Sequence, residues 1–542
     1  MLVSLAIVAW RRHRFPQKPL RIPSVSQQSP AEPAVVNSGA APSHGPGIDG
    51  SDHRRRNNRV IRLLLAASFV VILNETIMSV ALTELMDDLG ITARAAQWLT
   101  TAFMLTMAVV IPITGFLLQR FNTRPVFTTA MSLFSAGTLI AAIAPGFELL
   151  LLGRIVQASG TAIMMPLLMT TLMTLVPAAE RGKTMGNVSI VISVAPAIGP
   201  TISGIILNAL SWRWMFWLVL PIAVTMLIIG NRRVDNVTEP RPVPLDLFSV
   251  VLSAFGFGGL IYGLSLVGHG SGEAGEAVSA MPMWTSFGVG LVALSAFILR
   301  QLRLQRRDRA LLDLRTFRSS TFAVTVGLMI ISMAALFGTI ILLPIYMQQV
   351  LELEPFQIGL MLLPGGLLMG LLAPFVGRLY DRFGPTVLLV PGTMLVSAVL
   401  WFLSTLTENT SPFTLLAAHI VLSIGLALLF TPLFTAGLGA VKPELYSHGS
   451  AIIGTVQQVA GAVGTALFVT VMSIQSAALA ADGSAATVAV AGGVRAAFLA
   501  GAIISVFAVA AAFFVRKPAD NQVANHAATE PTDSAGALAD GT

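Results

Sequence analysis

The stretch Val70-Val71-Ile72-Leu73-Asn74-Glu75-Thr76-Ile77-Met78-Ser79-Val80-Ala81-Leu82 decides how the chain is read. It is the later part of an apolar run that begins near Leu63. A run of about 20 such residues crosses roughly 30 Å of hydrocarbon as a helix. Glu75 lies inside it, about 10 Å from the far end at 1.5 Å per residue. A carboxylate at that depth costs a few kcal/mol unless it is protonated, paired or turned to water. Snorkelling to the interface is the bland reading. Its depth, and the lack of another acid well inside any apolar run, make Glu75 a candidate functional group.

Composition agrees with a membrane chain. The sequence is 55% hydrophobic and 11% charged, where soluble proteins carry about 25% charged residues. It has no cysteine, so disulfides, thiolate metal sites and cysteine nucleophiles are excluded. Fourteen apolar spans are predicted between residues 61 and 515, which makes the fold an all-α polytopic membrane protein. Residues 1–59 and 517–542 are polar or low in complexity and read as disordered tails. Leu2–Trp10 is too short to span, and its basic cluster follows it, the reverse of a signal peptide. A start codon assigned too early is the alternative reading of this stretch.

The net charge of +7 is explained by topology. With both tails cytoplasmic, only Arg94, Arg213 and Arg495 of the 33 Lys and Arg fall at the opposite face, and Arg154 lies inside the fourth span. Such a bias sets orientation and removes the argument for nucleic acid. Trp98, Trp212, Trp214, Trp217, Trp284 and Trp401 fall at or near the outer ends of spans, as an aromatic belt does.

A repeat organises the spans. Gly115-Phe116-Leu117-Leu118-Gln119-Arg120-Phe121 ends the second span, and Gly377-Arg378-Leu379-Tyr380-Asp381-Arg382-Phe383-Gly384 ends the tenth. Arg154-Ile155-Val156 with Gly160 in the fourth span aligns with His419-Ile420-Val421 with Gly425 in the twelfth. Two six-helix halves related in this way mark a transporter with its site near the midplane. The expected domains are residues 60–231, an inserted pair of spans within 232–320, and residues 321–516.

These residues resemble the major facilitator superfamily, specifically its fourteen-span drug–proton antiporters, over roughly residues 60–516. Gly115, Leu117, Arg120 and Arg124 match the loop motif G-x-L-a-D-R-x-G-R-K, with Gln119 in place of its Asp. The second copy, with Gly377, Asp381, Arg382 and Gly384, is better kept. The resemblance implies a gating role for these residues, through carboxylate–Arg pairing and helix-end charge. Arg154, Gln157 and Gly160 match the fourth-helix motif, whose arginine the family associates with proton coupling. Gly186, Gly199, Pro200 and Gly204 resemble the fifth-helix motif of exporters, with Ala195 and Ser203 standing for two of its glycines. Asn74-Glu75-Thr76 is similar to a subgroup of Gram-positive drug exporters of the lincomycin-resistance type.

Other groups carry weaker signals. His419 at the repeat position of Arg154 is either a proton carrier or a packed, hydrogen-bonded residue. Gln457 and Gln458 are candidate cavity residues; Gln348 and Gln349 line a cavity or mark a helix end. Met164, Met165, Met169 and Met173 form either a soft substrate wall or ordinary packing. The loop with Arg303, Arg306, Arg307 and Arg309 touches headgroups or is simply solvated. Arg181-Gly182-Lys183-Thr184 lacks the preceding Gly and strand of a phosphate loop, so no nucleotide is expected. No metal cluster or catalytic set is visible, and an enzyme is not expected.

The expected function is proton-driven export of small hydrophobic or amphipathic compounds across the cytoplasmic membrane. Glu75 and Arg154 are the expected coupling groups, and Asn74, Gln157, His419, Gln457 and Gln458 possible contacts. No cofactor is expected beyond the proton gradient; the partners are substrate, protons and lipid, and the expected state is a monomer. The alternatives are a transporter dedicated to one metabolite and a non-transporting sensor or scaffold. For topology, a cysteine replacing Ser271, in the acidic loop with Glu273 and Glu276, should react with an impermeant thiol reagent on intact cells. Reaction only after lysis would invert the orientation.

Overall fold

The structure is a computed structural model that describes residues 50–78, 81–237, 240, 244–267 and 281–516. Both far tails and the loop carrying Ser271, Glu273 and Glu276 lie outside the described residues, as do the side chains of Arg94 and Pro200. The described residues from Ser51 onward fall in one compact unit. Among them there is no strand, and 14 helices are long and apolar enough to cross a membrane. A helix satisfies its own backbone, which hydrocarbon cannot do.

The first half contains α1 (Gly50–Ile77), α2 (Ala93–Arg120), α3 (Thr123–Ala142), α4 (Phe147–Leu175), α5 (Arg181–Ala209) and α6 (Arg213–Arg233). The inserted pair is α7 (Leu247–Val267) and α8 (Met281–Leu304). The second half contains α9 (Ser320–Gln349), α10 (Pro355–Phe383), α11 (Thr386–Leu403), α12 (Pro412–Gly439), α13 (Tyr446–Ala481) and α14 (Ala486–Ala512). A short helix, Leu82–Leu89, lies between α1 and α2 and ends at Gly90 with φ 60°. Gln348 and Gln349 close α9, the helix-end reading of that pair.

Packing repeats with the sequence. In the first half α2 packs on α4, α3 on α4, and α3 on α6; in the second, α10 packs on α12, α11 on α12, and α11 on α14. Two seams join the halves. One sets α13 against α2 and α4, and the other sets α5 against α10 and α12. The inserted helices pack on each other, and α7 also lies on α2 and α13. The pair therefore flanks the first seam.

One face of the bundle carries the start of α1, the end of α14 and the Arg-rich loops; it is called the basic face below. Here α5 and α10 come close enough to exclude side chains. A methyl group on Gly377 would lie 2.1 Å from the Gly182 carbonyl oxygen. Hydroxyls bridge both seams, Thr170 to Ser450 and Ser189 to Thr431, each at 2.7 Å. Gly384, with φ 81°, ends α10 and turns the chain into α11. Asn122 stands at the matching place in the first half, and there Phe121 leaves α2 in an extended conformation.

Two expectations change. Residues 50–59 continue α1 as helix instead of belonging to a disordered tail; no proline or glycine after Gly50 interrupts them. Trp212 is not at a lipid interface but 1% exposed, and its indole N–H donates to Asp88 at 2.8 Å. That bond, and the one from Arg213, hold the Asp88 carboxyl below the usual carboxylate range. The remaining belt tryptophans, from Trp98 at 36% to Trp284 at 66%, are exposed.

The glycine contact is testable. Cysteines replacing Ser189 and Thr431 should cross-link readily, since their hydroxyls stand 2.7 Å apart. Adding Gly377→Val should suppress the cross-link, because overpacking costs about 1–3 kcal/mol. Unchanged cross-linking would show that the backbones need not approach.

Candidate functional site

Arg154 enters the first half from α4 and is 1% exposed. The three-residue spacing to Gln157 puts both on one helix face. Arg154 Nη1 donates to Gln157 Oε1 at 2.7 Å, and Gln157 Nε2 donates to Thr138 Oγ1 on α3 at 2.8 Å. Thr138 in turn donates to the Phe134 carbonyl at 2.7 Å. The guanidinium lies 4.1 Å from the centre of the Phe103 ring on α2. A desolvated cation–π contact is worth about 2 kcal/mol. Arg154 thus ties α2, α3 and α4 together, while its buried Nε has no hydrogen-bond partner.

Glu75 reaches this cation from α1. The two interact through their charges without closing to a direct ion pair among the described residues. Asn74 beside it is 2% exposed, with an unpartnered Oδ1. Thr76 donates to the Leu73 carbonyl at 3.0 Å. A methyl group on Gly199 would stand 2.2 Å from Thr76 Oγ1. The glycine of the fifth-helix motif thus admits the α1 backbone next to Glu75, a link between two motifs that the sequence did not disclose. The site therefore offers a half-buried carboxylate, a buried cation and unused polar atoms, which suits binding a proton or a cation.

The other candidates disperse. His419 faces α10 within its own half: Nε2 lies 3.2 Å from the Leu362 carbonyl, and Gly365 packs on the ring. That is the packed reading of this histidine. Gln458 Nε2 is 3.8 Å from Met107 Sδ across the α2–α13 seam, and Gln457 is half-buried on α13. Met164, Met169 and Met173 are buried among neighbouring helices. Gly186 packs on Ala373, whereas Gly204 has nothing within 4 Å of an added methyl group.

The loop-motif residues gather at the basic face. Asp381 accepts from the backbone N–H groups of Gly182 and Lys183, each at 2.8 Å. It thereby caps the N-terminus of α5 from the other half, where a helix favours negative charge. The stretch that superficially resembled a phosphate loop is thus filled by a carboxylate. Gln119, the counterpart of Asp381, donates instead to the Glu444 carbonyl just before α13, at 3.3 Å. Gly115 lies under the His448 ring. Arg120 stacks by Phe116 and Phe121, Arg382 lies over Phe383, and the Arg124 backbone N–H donates to Asn236 Oδ1.

Sequence reasoning missed His448, Asp313, Gln301 and the Ser189–Thr431 bridge. Asp308 and Asp313 were the available signal, two acids in a loop read only for its arginines. Both accept from Arg315 Nη2 at 2.5 Å, and Asp313 is 2% exposed. These bonds, that with Asp313 first, raise the already high Arg315 pKa.

The family model of the Major Facilitator Superfamily matches residues 64–465. The MFS-type transporter YcnB of Bacillus subtilis is 42% identical over 460 residues, 85% of this chain and 95% of that protein. The lincomycin resistance protein LmrB of Listeria monocytogenes is 40% identical over 464 residues, 84% of this chain and 96% of that protein. The crystal structure of the human organic anion transporter MFSD10 superposes with a TM-score of 0.60 at 14% identity, covering 84% of this chain and 99% of that one.

Gln157→Leu should lower thermal stability in detergent more than Thr138→Val. The first strips a buried charge of its acceptor, at about 1.5–3 kcal/mol for a hydrogen bond to a charged group. The second removes a neutral contact. Equal melting shifts would mean that Gln157 does not hold Arg154.

Proposed function

We propose that this chain, which belongs to the major facilitator superfamily and is a multi-pass membrane transporter, is a proton-coupled exporter of small hydrophobic or amphipathic compounds. Its substrates would include drugs of the kind for which the LmrB relatives are named. The observation that carries the reading is Glu75 facing the buried charge of Arg154 without a direct ion pair. Such a carboxylate is free to exchange partners.

In this reading the basic face is cytoplasmic, following the Lys/Arg bias. Contacts across both seams at that face, together with the Asp381 cap, support the reading of a transporter shut toward the cytoplasm. A proton from outside neutralises Glu75, and the seams part on the basic face. A cationic compound arriving from the cytoplasm competes for the carboxylate and displaces the proton inward. The seams close, and the compound leaves outward. Arg154 sets the field in which the carboxylate chooses between proton and substrate. Neutral compounds couple indirectly, through the same rocking of the halves.

The test is a resistance and accumulation screen in cells lacking other pumps. Wild-type protein should lower accumulation of several unrelated compounds. Glu75→Gln should leave accumulation at the level of cells without the pump, at equal amounts of membrane protein. Arg154→Lys should retain more activity than Arg154→Ala but less than wild type, since the planar fork is lost. Normal pumping by Glu75→Gln would move the proton site elsewhere, and export of one metabolite alone would make the transporter a dedicated one.

A further inference from the structure

The two seams share a packing pattern but differ in the polar groups that close them. At the α5–α10 seam a carboxylate, Asp381, caps the opposing helix. At the α2–α13 seam the matching residue is Gln119, a neutral amide that donates to the Glu444 carbonyl at 3.3 Å. The inserted pair lies at this weaker seam, with α7 against α2 and α13.

The linker that leaves α8 is fixed by a chain of short bonds. Arg300 clasps Asp246 at the base of α7 through two hydrogen bonds of 2.6 and 2.8 Å. That pairing holds the Asp246 carboxyl below the usual carboxylate range. Gln301, fully buried, donates to Ser249 on α7 at 2.8 Å. Its Oε1 accepts from the backbone N–H groups of Leu311 and Leu312, at 2.7 and 3.3 Å. Ala310, Leu311, Leu312 and Asp313 are all 5% exposed or less, unusual for a connecting loop.

The far end of this loop lies at the seam. A methyl group on Gly115 of α2 would stand 3.0 Å from His448 Nδ1 on α13 and 3.4 Å from the Leu311 carbonyl oxygen. One residue from each side of the seam therefore meets the linker at a single junction. Within the linker, Asp313 accepts from the Arg315 backbone N–H at 2.9 Å and from its guanidinium at 2.5 Å.

We propose that the α8–α9 linker is a latch of the basic-face gate, with Gln301 and Asp313 as its positioning residues. Gln301 anchors the linker to the inserted pair. Leu311 meets the seam at Gly115, and Asp313 braces the linker through Arg315, holding shut the seam in which Gln119 supplies no carboxylate. The inserted pair is thus a working part of the conformational cycle. This rests on the alternating-access reading above but on neither the proton nor the drug.

The cysteine-free chain allows a direct test. Single cysteines replacing Ala451, in the α2–α13 seam, and Ser189, in the α5–α12 contact, are labelled with a thiol reagent in purified full-length protein. Asp381→Asn, which loosens the described carboxylate cap, should speed labelling at both sites and serves as the reference for opening. Asp313→Asn and Gln301→Leu should each speed labelling several-fold at both sites, because the halves part as units. Asp313→Glu, which keeps the carboxylate, should label like the wild type. Should Gln301→Leu fail to fold, the Asp313 pair of variants decides the matter alone. Faster labelling at Ala451→Cys only would reduce the linker to a local cover, and unchanged labelling at both would remove it from the gate. Either result overturns the latch, while a response to Asp381→Asn leaves alternating access standing. No response to Asp381→Asn would count against alternating access itself.

Discussion

A single buried cation constrains the first half of the molecule. Arg154 is 1% exposed in a helix long and apolar enough to cross a membrane. An ionised group there survives only if its hydrogen bonds and charge are met by protein. Gln157, Thr138 and the Phe103 ring meet part of that requirement. They draw on α2, α3 and α4, so the packing of those helices and the solvation of the charge are one problem. The remainder falls to Glu75 on α1, which answers the charge at a distance. A carboxylate that is half-buried and not directly bonded to the cation it faces keeps its oxygens open to another partner, and the proposed exchange of proton for substrate rests on that.

The second constraint is the way two similar halves meet. The packing pattern repeats, and the cross-seam contacts repeat with it, α2 on α13 matching α10 on α5. Divergence lies in a few polar groups. Asp381 and the Gly182–Gly377 approach lock one seam through backbone and charge. At the other lie Gln119, the His448 junction and the linker from the inserted helices. Helix-end capping by a carboxylate is weak enough to break in a working cycle, at about 0.3–2 kcal/mol. The proposed gate, made from such contacts, would open without unfolding any helix.

Much of this was legible in the sequence because the signals are local. Span length, the Lys/Arg bias, the lone Glu75, the Arg154–Gln157 spacing and the two loop motifs all follow from neighbours in the chain. What escaped depends on partners far away in sequence. Nothing near Gly199 announces that Thr76 fills the space beside it, and nothing near His448 announces Gly115 and Leu311. Trp212 follows the belt pattern by position, but Asp88 draws its N–H into the protein. His419 matches Arg154 by repeat position, yet it packs against α10, because sharing a repeat position does not fix which way a side chain is satisfied. The acids Asp308 and Asp313 were hidden by the arginines around them, although Arg315 between them is what makes a buried loop acid tolerable.

In the proposed mechanism the carboxylate facing Arg154 trades a proton for a substrate. Proton release on drug binding measures this directly, in weakly buffered detergent solution with purified protein and a pH-sensitive dye. Addition of a transported cationic drug should release protons from the wild type and none from Glu75→Gln, with release saturating as the drug binds. Equal release from both proteins, or saturable drug binding to the wild type with no release at all, would contradict it.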